Sequence, residues 1–342
     1  MPVLSIQSLH VSYDQKHVVQ GLDLTIEESE IVALFGPSGC GKTTVLKSIA
    51  GLIEQATGDI EVAGRELLSA DVNVATEKRK VGLIFQDYAL FPHLTIEQNI
   101  AFGLSKLSKK QQRNKVQQML SLIKMEEYID SYPSQLSGGQ QQRIAIVRAL
   151  ACEPDILLFD EAFSNLDPQF RFELIADIRH LLKAHNISAL FVTHNQDEAF
   201  AFCDRIAVMH QGRIEQIDTA EKLFEQPKTA FIAEFLGEGI WLEVTIVNDK
   251  ELDSNLGKLS YIGSQNISEL IGEQRKVYLR PHQLHLTESV GSELTVTKER
   301  FVGECYQSML EWQSQKVKVR TEQSMLNKAV NLSVANAVNC VF

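Results

Sequence analysis

Five short runs of the chain are apolar at consecutive positions, EIVALFG, KVGLIFQ, DILLFDE, ALFVTH and RIAVMHQG, and longer amphipathic stretches alternate with them. Strands that read this way are covered on both faces. The alternation continues from the start to about Leu236 and predicts βαβ units around a mostly parallel sheet, an α/β domain. Between KVGLIFQ and DILLFDE lies a long insertion. There Val116, Met119, Leu120 and Ile123 recur at helical spacing behind the charged KLSKKQQRNK, which predicts a helical subdomain over about 88–150. Past AFIAEFLGEG the texture changes, and WLEVTIV, KLSYIG, KVYLRPHQLHL, ELTVTKERFV and KVKVRTE are strand-like with little helix between them. The expected division is therefore residues 1–236 and a second, all-β domain over 237–342, a small barrel beginning near Gly237.

Charge and cysteine usage narrow the function classes. A formal net charge of -11 leaves no surplus of Lys and Arg to neutralise a phosphate backbone, which argues against nucleic acid as a partner. Cys40, Cys152, Cys203, Cys305 and Cys340 show no CxxC spacing, so neither a zinc site nor a disulfide framework is expected. The start, MPVLSIQSLHVSYD, lacks the basic and apolar segments of a secretory signal. No apolar run approaches the roughly 20 residues that a membrane-spanning helix needs. The chain is expected to stay in the cytoplasm, and where a membrane matters another chain would span it.

The first chemical signal is GPSGCGKTT: Gly36, Pro37, Ser38, Gly39, Cys40, Gly41, Lys42, Thr43 and Thr44. It fits G-x-x-x-x-G-K-[ST] between an apolar strand and the stretch TVLKSIAGL. Its glycines let backbone N–H groups turn inward about phosphate oxygens at a helix start. Lys42 would reach the outer phosphates and the Thr43 hydroxyl would ligate Mg2+. A glycine-rich turn of no function is the alternative, and the flanking strand and helix disfavour it. Cys40 reads as a small filler rather than a redox switch.

The second signal is ILLFDEAFSNLD, in which Asp160 and Glu161 close a buried strand at the carboxyl edge where open α/β sheets bind ligands. Neighbours on a strand point to opposite sides, so the two carboxylates would differ in task. Asp160 would hold Mg2+ through its water shell, and Glu161 would orient and deprotonate an attacking water. Alone, such a pair is more readily a helix cap or a solvated turn. Beside a phosphate loop the catalytic reading prevails.

A third stretch, YPSQLSGGQQQRIAIVRALA, looks like a phosphate-binding helix start that lacks its cation, with Ile144, Val147 and Leu150 as apolar positions behind it. Taken with FQDYALFPHLT around Gln86, SNLD from Ser164 to Asp167 and FVTHNQDEA around His194, these segments resemble the ATP-binding cassette ATPases over roughly Leu4 to Leu236. The resemblance implies a P-loop NTPase fold that hydrolyses ATP with Mg2+. It also accounts for the missing cation. In that family two cassettes pack head to tail, so Ser137, Gly138, Gly139 and Gln140 would face the γ-phosphate of ATP already held by the Lys42 of a second copy. Neutral donors and a helix dipole then suffice. Asp167 would cross the same seam, and loss of the γ-phosphate would reopen the homodimer.

By the same resemblance Tyr13 would stack on adenine, His194 would hydrogen-bond the γ-phosphate, and Gln86 would contact Mg2+ and the attacking water. Taken singly, Tyr13 is more readily a packing residue and His194 a solvated strand end. Lys42, Gln86, Glu161 and His194 form the expected catalytic set, and Thr43, Gln86 and Asp160 the metal set. Three residues depart from the family pattern: Ala162 stands for proline, Asn165 for alanine and Asn195 for aspartate. None of them removes a group that would touch phosphate. The loop after Gln86 is unusually apolar at Tyr88, Leu90, Phe91 and Leu94, which reads equally as core or as a docking surface for a membrane partner's cytoplasmic helix. The resemblance favours docking.

A separate cassette chain with a trailing β domain is similar to importer ATPases of bacterial type. That likeness implies integral membrane permease subunits as partners, a periplasmic substrate-binding protein indirectly, and a peripheral place at the cytoplasmic face of the inner membrane. The trailing β domain, with the segment YLRPHQL, resembles the accessory barrel of importers of ferric iron, polyamines, oxyanions and some sugars, while its length, and GPSGCGKTT followed by FQDYALFPHLT, resemble the ferric-iron group. Polyamine, sulfate or molybdate, and sugar importers stay open as alternatives, and so does a soluble cassette ATPase with no membrane partner. His282 and His285 do not read as an iron site, since three residues apart on one strand they would face opposite sides.

Overall fold

The computed structural model describes residues 2–164, 166–263, 265–289, 291–334 and 337–342. The chain divides into two compact units, Met1–Ala220 and Glu221–Phe342. The first contains β1 (Pro2–Tyr13), β2 (Lys16–Glu27), β3 (Ile31–Phe35), α1 (Lys42–Ala50), β4 (Ala56–Val62), β5 (Arg65–Leu68), β6 (Val81–Ile84), α2 (Ile96–Ala101), α3 (Lys109–Leu122) and α4 (Gly138–Ala151). It continues through β7 (Ile156–Asp160), α5 (Pro168–Ala184), β8 (Ala189–Thr193), α6 (Gln196–Phe202), β9 (Arg205–His210) and β10 (Arg213–Asp218).

The five apolar runs of the sequence are β3, β6, β7, β8 and β9. They form a six-stranded sheet in the order β10-β9-β3-β8-β7-β6, parallel except at the β9–β10 edge. Every residue of β3 and of β8 is buried, as consecutive apolar positions require when both faces are covered. A second sheet was not legible as such. β1, β2, β4 and β5 form an antiparallel sheet in the order β2-β1-β4-β5, so this part of the unit is not βαβ. Its alternation is broken by register shifts, one of them between Ile6 and Leu9, which move the buried set to the other parity and hide the period of two. Both sheets contribute to one core that includes Leu4, Ile6, Val32, Leu34, Ile156 and Leu190.

The insertion between β6 and β7 is helical. Val116, Met119 and Leu120 are buried on α3, and α2, α3 and α4 each start on a capping box, Thr95 with Gln98, Ser108 with Gln111 and Ser137 with Gln140. Below α1, Arg79 is 1% exposed. Its Nη1 donates to the Ser48 and Ile49 carbonyls at 2.8 and 2.9 Å, its Nε to Val74 O at 2.7 Å and its Nη2 to Asn73 Oδ1 at 2.8 Å. The Ser48 and Ile49 carbonyls lie in the last turn of α1, where a helix runs short of its own donors, although Gly51 N also donates to Ser48 O at 3.1 Å. Arg79→Met should therefore cost about 3 kcal/mol of stability, read by urea unfolding, because charged hydrogen bonds to buried carbonyls would be lost. A loss under about 0.5 kcal/mol would mean that those carbonyls find other donors.

The second unit holds all but the first residue of α7 (Ala220–Glu225), and α8 (Ala230–Phe235), β11 (Ile240–Asn248), β12 (Glu251–Ser254), β13 (Gly257–Ser260), β14 (Gln274–Leu279), β15 (Leu284–Glu288), β16 (Lys298–Phe301), β17 (Tyr306–Trp312), β18 (Gln315–Thr321) and β19 (Val330–Val334). Its strands fall into three antiparallel sheets, β13-β12-β11-β14, β15-β19 and β16-β17-β18, around one apolar cluster that includes Leu242, Val277, Leu310, Val319 and Leu332. This unit begins before Gly237, because α7 and α8 pack with the strands. The Arg280 guanidinium lies 3.8 Å over the Phe224 ring, and the Tyr278 hydroxyl donates to Gly237 O at 2.9 Å.

One reading of this region is corrected. KVYLRPHQLHL is two strands with a turn at Pro281–Gln283, so His282 does not share a strand with His285 and their alternation cannot be argued. Proline at the turn forces the break. Among the described residues no group of three His, Cys, Asp or Glu side chains is placed to hold a metal, and no helix is long and apolar enough to cross a membrane.

Candidate active site

Between the end of β3 and the start of α1 the chain must turn in close quarters. A Cβ on Gly36 would lie 2.1 Å from Met209 O, and Gly41, at φ 109, caps α1 in a conformation that side chains avoid. Lys42 is the first helical residue and is 5% exposed. Its Nζ donates to Gly36 O at 2.8 Å and Pro37 O at 2.9 Å. A cation buried at the positive end of a helix, with carbonyls as its hydrogen-bond partners, is a place that an anion stabilises. Ser38 and Gly39 lie exposed at the rim, and Thr43 and Thr44 are half-buried. Burial pushes the Cys40 thiol up, which disfavours the thiolate that redox chemistry needs and supports the filler reading.

The Thr43 hydroxyl donates to Asp160 Oδ1 at 3.1 Å, which joins the start of α1 to the end of β7. Burial raises the Asp160 carboxyl's pKa, the Thr43 hydrogen bond opposes that, and the neighbouring Glu161 charge adds to it. A hydroxyl and a carboxylate together are the hard oxygen donors that Mg2+ takes alongside phosphate, so the residues present fit that ion. Gln86 lies two positions beyond β6 and is exposed. Since Ile84 pairs with Phe159, it stands at the same end of the sheet as Asp160.

Glu161 is not a strand residue. It leaves β7 at φ 48, so the left-handed turn, rather than strand alternation, sets its direction away from Asp160. Such a backbone costs on the order of 1 kcal/mol and persists because its surroundings hold it. Glu161 N donates to Val192 O at 2.9 Å, and Ser164 Oγ donates to Glu161 O at 2.8 Å. Ala162 and Phe163 are fully buried, and the Phe163 ring packs with Phe159, Phe191 and Phe202 at 5.2–6.4 Å. The Glu161 carboxylate reaches His194, with Oε1 3.2 Å from Nδ1. Lys42, Thr43, Asp160, Glu161 and His194 thus form one linked cluster at the carboxyl edge of the sheet.

Tyr13 ends β1 in the other sheet and is 43% exposed, a ring open to a ligand rather than packed into the core. Asn195 caps α6, its Oδ1 accepting from Asp197 N and Glu198 N at 2.9 and 3.2 Å. An aspartate would accept the same two bonds, so this departure is neutral for the turn. Ala162 fills a wholly buried position, and Asn165 lies outside the described residues.

The Ser137 segment stands in a different groove. Ser137 Oγ accepts from Gln140 N at 3.4 Å, and Gln140 Oε1 accepts from Ser137 N at 2.9 Å, so Gln140 serves to shape the start of α4. Ser137, Gly138, Gly139 and Gln140 line a cavity of about 530 Å³ with Leu166, Asp167 and the exposed Phe170. No residue of the phosphate loop lines that cavity. Asp167 caps α5 by accepting from Gln169 N at 3.0 Å.

The apolar loop after Gln86 divides between both readings. Tyr88 is core at 5% exposed, while Phe102, which its sequence neighbours did not single out, is 61% exposed and packs its ring 4.3 Å from that of Phe91. Asn99 holds the loop, accepting from Phe91 N at 2.8 Å and donating to Phe91 O at 3.1 Å. Sequence reasoning also passed over half-buried Arg171 and buried Glu198, an ion pair at 3.1 Å next to the His194 turn. Their signal was a charged residue one turn into each capped helix, four positions past Asp167 and His194.

A family model described as ABC transporter matches residues 19–164. The spermidine/putrescine import ATP-binding protein of Pasteurella multocida (strain Pm70) is 39% identical over 293 residues, 84% of this chain and 78% of that protein. The sulfate/thiosulfate import ATP-binding protein of Synechocystis sp. is 42% identical, covering 83% of this chain and 77% of its own. The Fe(3+) ions import ATP-binding protein of Haemophilus influenzae (strain 86-028NP) is 37% identical, covering 83% and 81%. Among solved structures, a dimeric ATP-binding cassette in a post-hydrolysis state bound to ADP and Pi superposes with a TM-score of 0.55 at 28% identity, over 64% of this chain and 98% of that one. The cassette cbiO1 from Clostridium perfringens, part of an ABC transporter complex, gives 0.60 at 26% identity, over 66% and 91%.

Proposed function

The chain belongs to the ABC transporter family as an ATP-hydrolysing import subunit, and from that premise we propose that two copies clamp ATP between the Lys42 loop of one and the Ser137 helix start of the other. The observation that carries this is the separation of the two anion-seeking helix starts: Lys42 shares a cluster with Glu161 and His194, while Ser137 opens onto a groove that the phosphate loop does not line. In the first site backbone N–H groups and Lys42 take the phosphates, with the helix dipole behind them. Thr43 and Asp160 would hold Mg2+, which would neutralise charge on the phosphate oxygens. Glu161 takes the proton of the attacking water, and His194, held 3.2 Å from it, donates to the departing phosphate's oxygen. Gln86 positions that water, and Tyr13 stacks on the base. In the second copy Ser137, Gly138 and Gly139 donate to the γ-phosphate, and Asp167 lies on the seam.

The import partners are integral membrane permease subunits, with the chain peripheral at the cytoplasmic face and the exposed Phe102, packed on half-buried Phe91, as the docking surface. A periplasmic substrate-binding protein would act through the permease. In gently solubilised cells the chain should co-purify with an integral membrane protein, and Phe102→Asp should cut the recovered partner by about tenfold. A chain that elutes alone under those conditions supports the soluble, non-transport reading instead.

The cargo reading is ferric iron, supported by the length of the β domain, by GPSGCGKTT followed by FQDYALFPHLT, and by the relative named for Fe(3+) import. Relatives named for spermidine/putrescine and for sulfate/thiosulfate are as similar, since an ATPase that never touches the cargo carries no pocket for it. Uptake of labelled ferric iron, spermidine and sulfate in cells lacking this chain separates the three. Undiminished iron uptake overturns the iron reading and leaves the ATPase reading intact.

A further inference from the structure

The Asp167 loop and the His194 turn are joined by an ion pair between half-buried Arg171 and buried Glu198 that no step above uses. Glu198 is 2% exposed, one turn into α6, and Arg171 is one turn into α5. Arg171 Nη1 donates to Glu198 Oε1 at 3.1 Å, and its Nη2 donates to Leu166 O at 3.0 Å and Ser164 O at 3.5 Å. The other Glu198 oxygen accepts from the Thr193 hydroxyl at 2.9 Å, and that hydroxyl oxygen accepts from Asn195 N at 3.0 Å. His194 lies between those two held residues. A continuous path therefore runs from the carbonyls of Ser164 and Leu166, through two opposite charges, to both flanks of His194.

A charged pair is an expensive way to fill this space. Apolar side chains of similar volume would stabilise a core as well or better, whereas a lone buried charge is severely disfavoured. The pair consequently gives the path two properties that packing does not: fixed geometry at both ends, and a penalty if either end moves away. It connects a loop placed on the dimer seam to a residue placed on the γ-phosphate.

We propose that Arg171 and Glu198 are positioning residues that lock the Asp167 loop to the His194 turn, so that closure of a second copy on that loop sets His194 against Glu161 for hydrolysis. This rests on the placement of Asp167 and His194 given under the proposed function. Seating of the loop moves the Leu166 carbonyl, Arg171 follows it, and Glu198 holds the Thr193 hydroxyl in register.

The test is steady-state ATP hydrolysis by the full chain, expressed per nucleotide-binding site titrated with a fluorescent ATP analogue. Glu198→Gln should lower kcat about tenfold while KM for ATP stays within about twofold, because the interaction acts on the reacting geometry and not on nucleotide capture. Arg171→Lys keeps a charge but loses the fork that reaches both partners, and should do the same. The double variant should fall about tenfold, not about a hundredfold, since both changes break one path. Singles within about twofold of the parent per competent site, or a double loss equal to the product of the singles, overturn the proposal. If Glu198→Gln does not fold, Arg171→Lys carries the test alone through its split between kcat and KM. His194→Ala is the reference. Retained turnover in that variant overturns the site assignment as well, while lost turnover there beside normal Glu198→Gln turnover overturns the strut alone.

Discussion

Glu161→Gln should bind ATP and lose hydrolysis by about a hundredfold or more, the scale that a positioned general base contributes. The substitution keeps the shape, so the left-handed turn at φ 48 and the hydrogen bond from Ser164 Oγ to Glu161 O survive. The side chain loses its ability to take a proton, and the amide can still meet His194 Nδ1. Since nothing about phosphate capture changes, ATP should accumulate at both half-sites and hold two copies together. Size-exclusion chromatography with ATP should show a stable dimer, and single-turnover phosphate release should show the missing step. Turnover within about tenfold of the parent would mean that another group accepts the proton.

The parallel sheet and its carboxyl-edge cluster could be read from the chain because their signals are local. Runs such as Ile31–Phe35 and Ala189–Val192 are apolar at every position, which a strand covered on both faces needs, and Lys42, at the helix start after β3, and Asp160, at the end of β7, stand where that architecture puts ligands. The antiparallel sheet was hidden because register shifts in β1 break its period. Glu161 was legible as a residue but not as a geometry: its direction comes from a positive φ held by buried Ala162 and Phe163, and no side-chain pattern announces that. Arg171 and Glu198 were missed for a related reason. Each reads as an ordinary charged residue in the first turns of a helix, and only the packing of α5 beside α6 buries Glu198 and half-buries Arg171 against it.

Ser137→Arg should abolish ATP-driven pairing, with the dimerisation constant falling at least about a hundredfold, while nucleotide affinity of the single chain stays within about twofold. Bulk, more than charge, is the cause. Gly138 and Gly139 follow Ser137 without side chains, so the helix start can approach an anion closely, and an arginine at the cap would stand in that approach. The change also removes the cap that accepts from Gln140 N, a loss of about 1 kcal/mol to the helix. Ser137→Ala separates the two effects, since it loses the cap and the hydroxyl donor but adds no bulk. It should weaken pairing by only about tenfold, the worth of one hydrogen bond to a charged group. Sedimentation of the Glu161→Gln background with ATP measures both variants without hydrolysis. If Ser137→Arg instead removed nucleotide binding by the single chain, the serine would serve the same copy's ATP and the clamp across two copies would be wrong. The separate groove that Ser137 shares with Asp167, away from Lys42, argues for the first outcome.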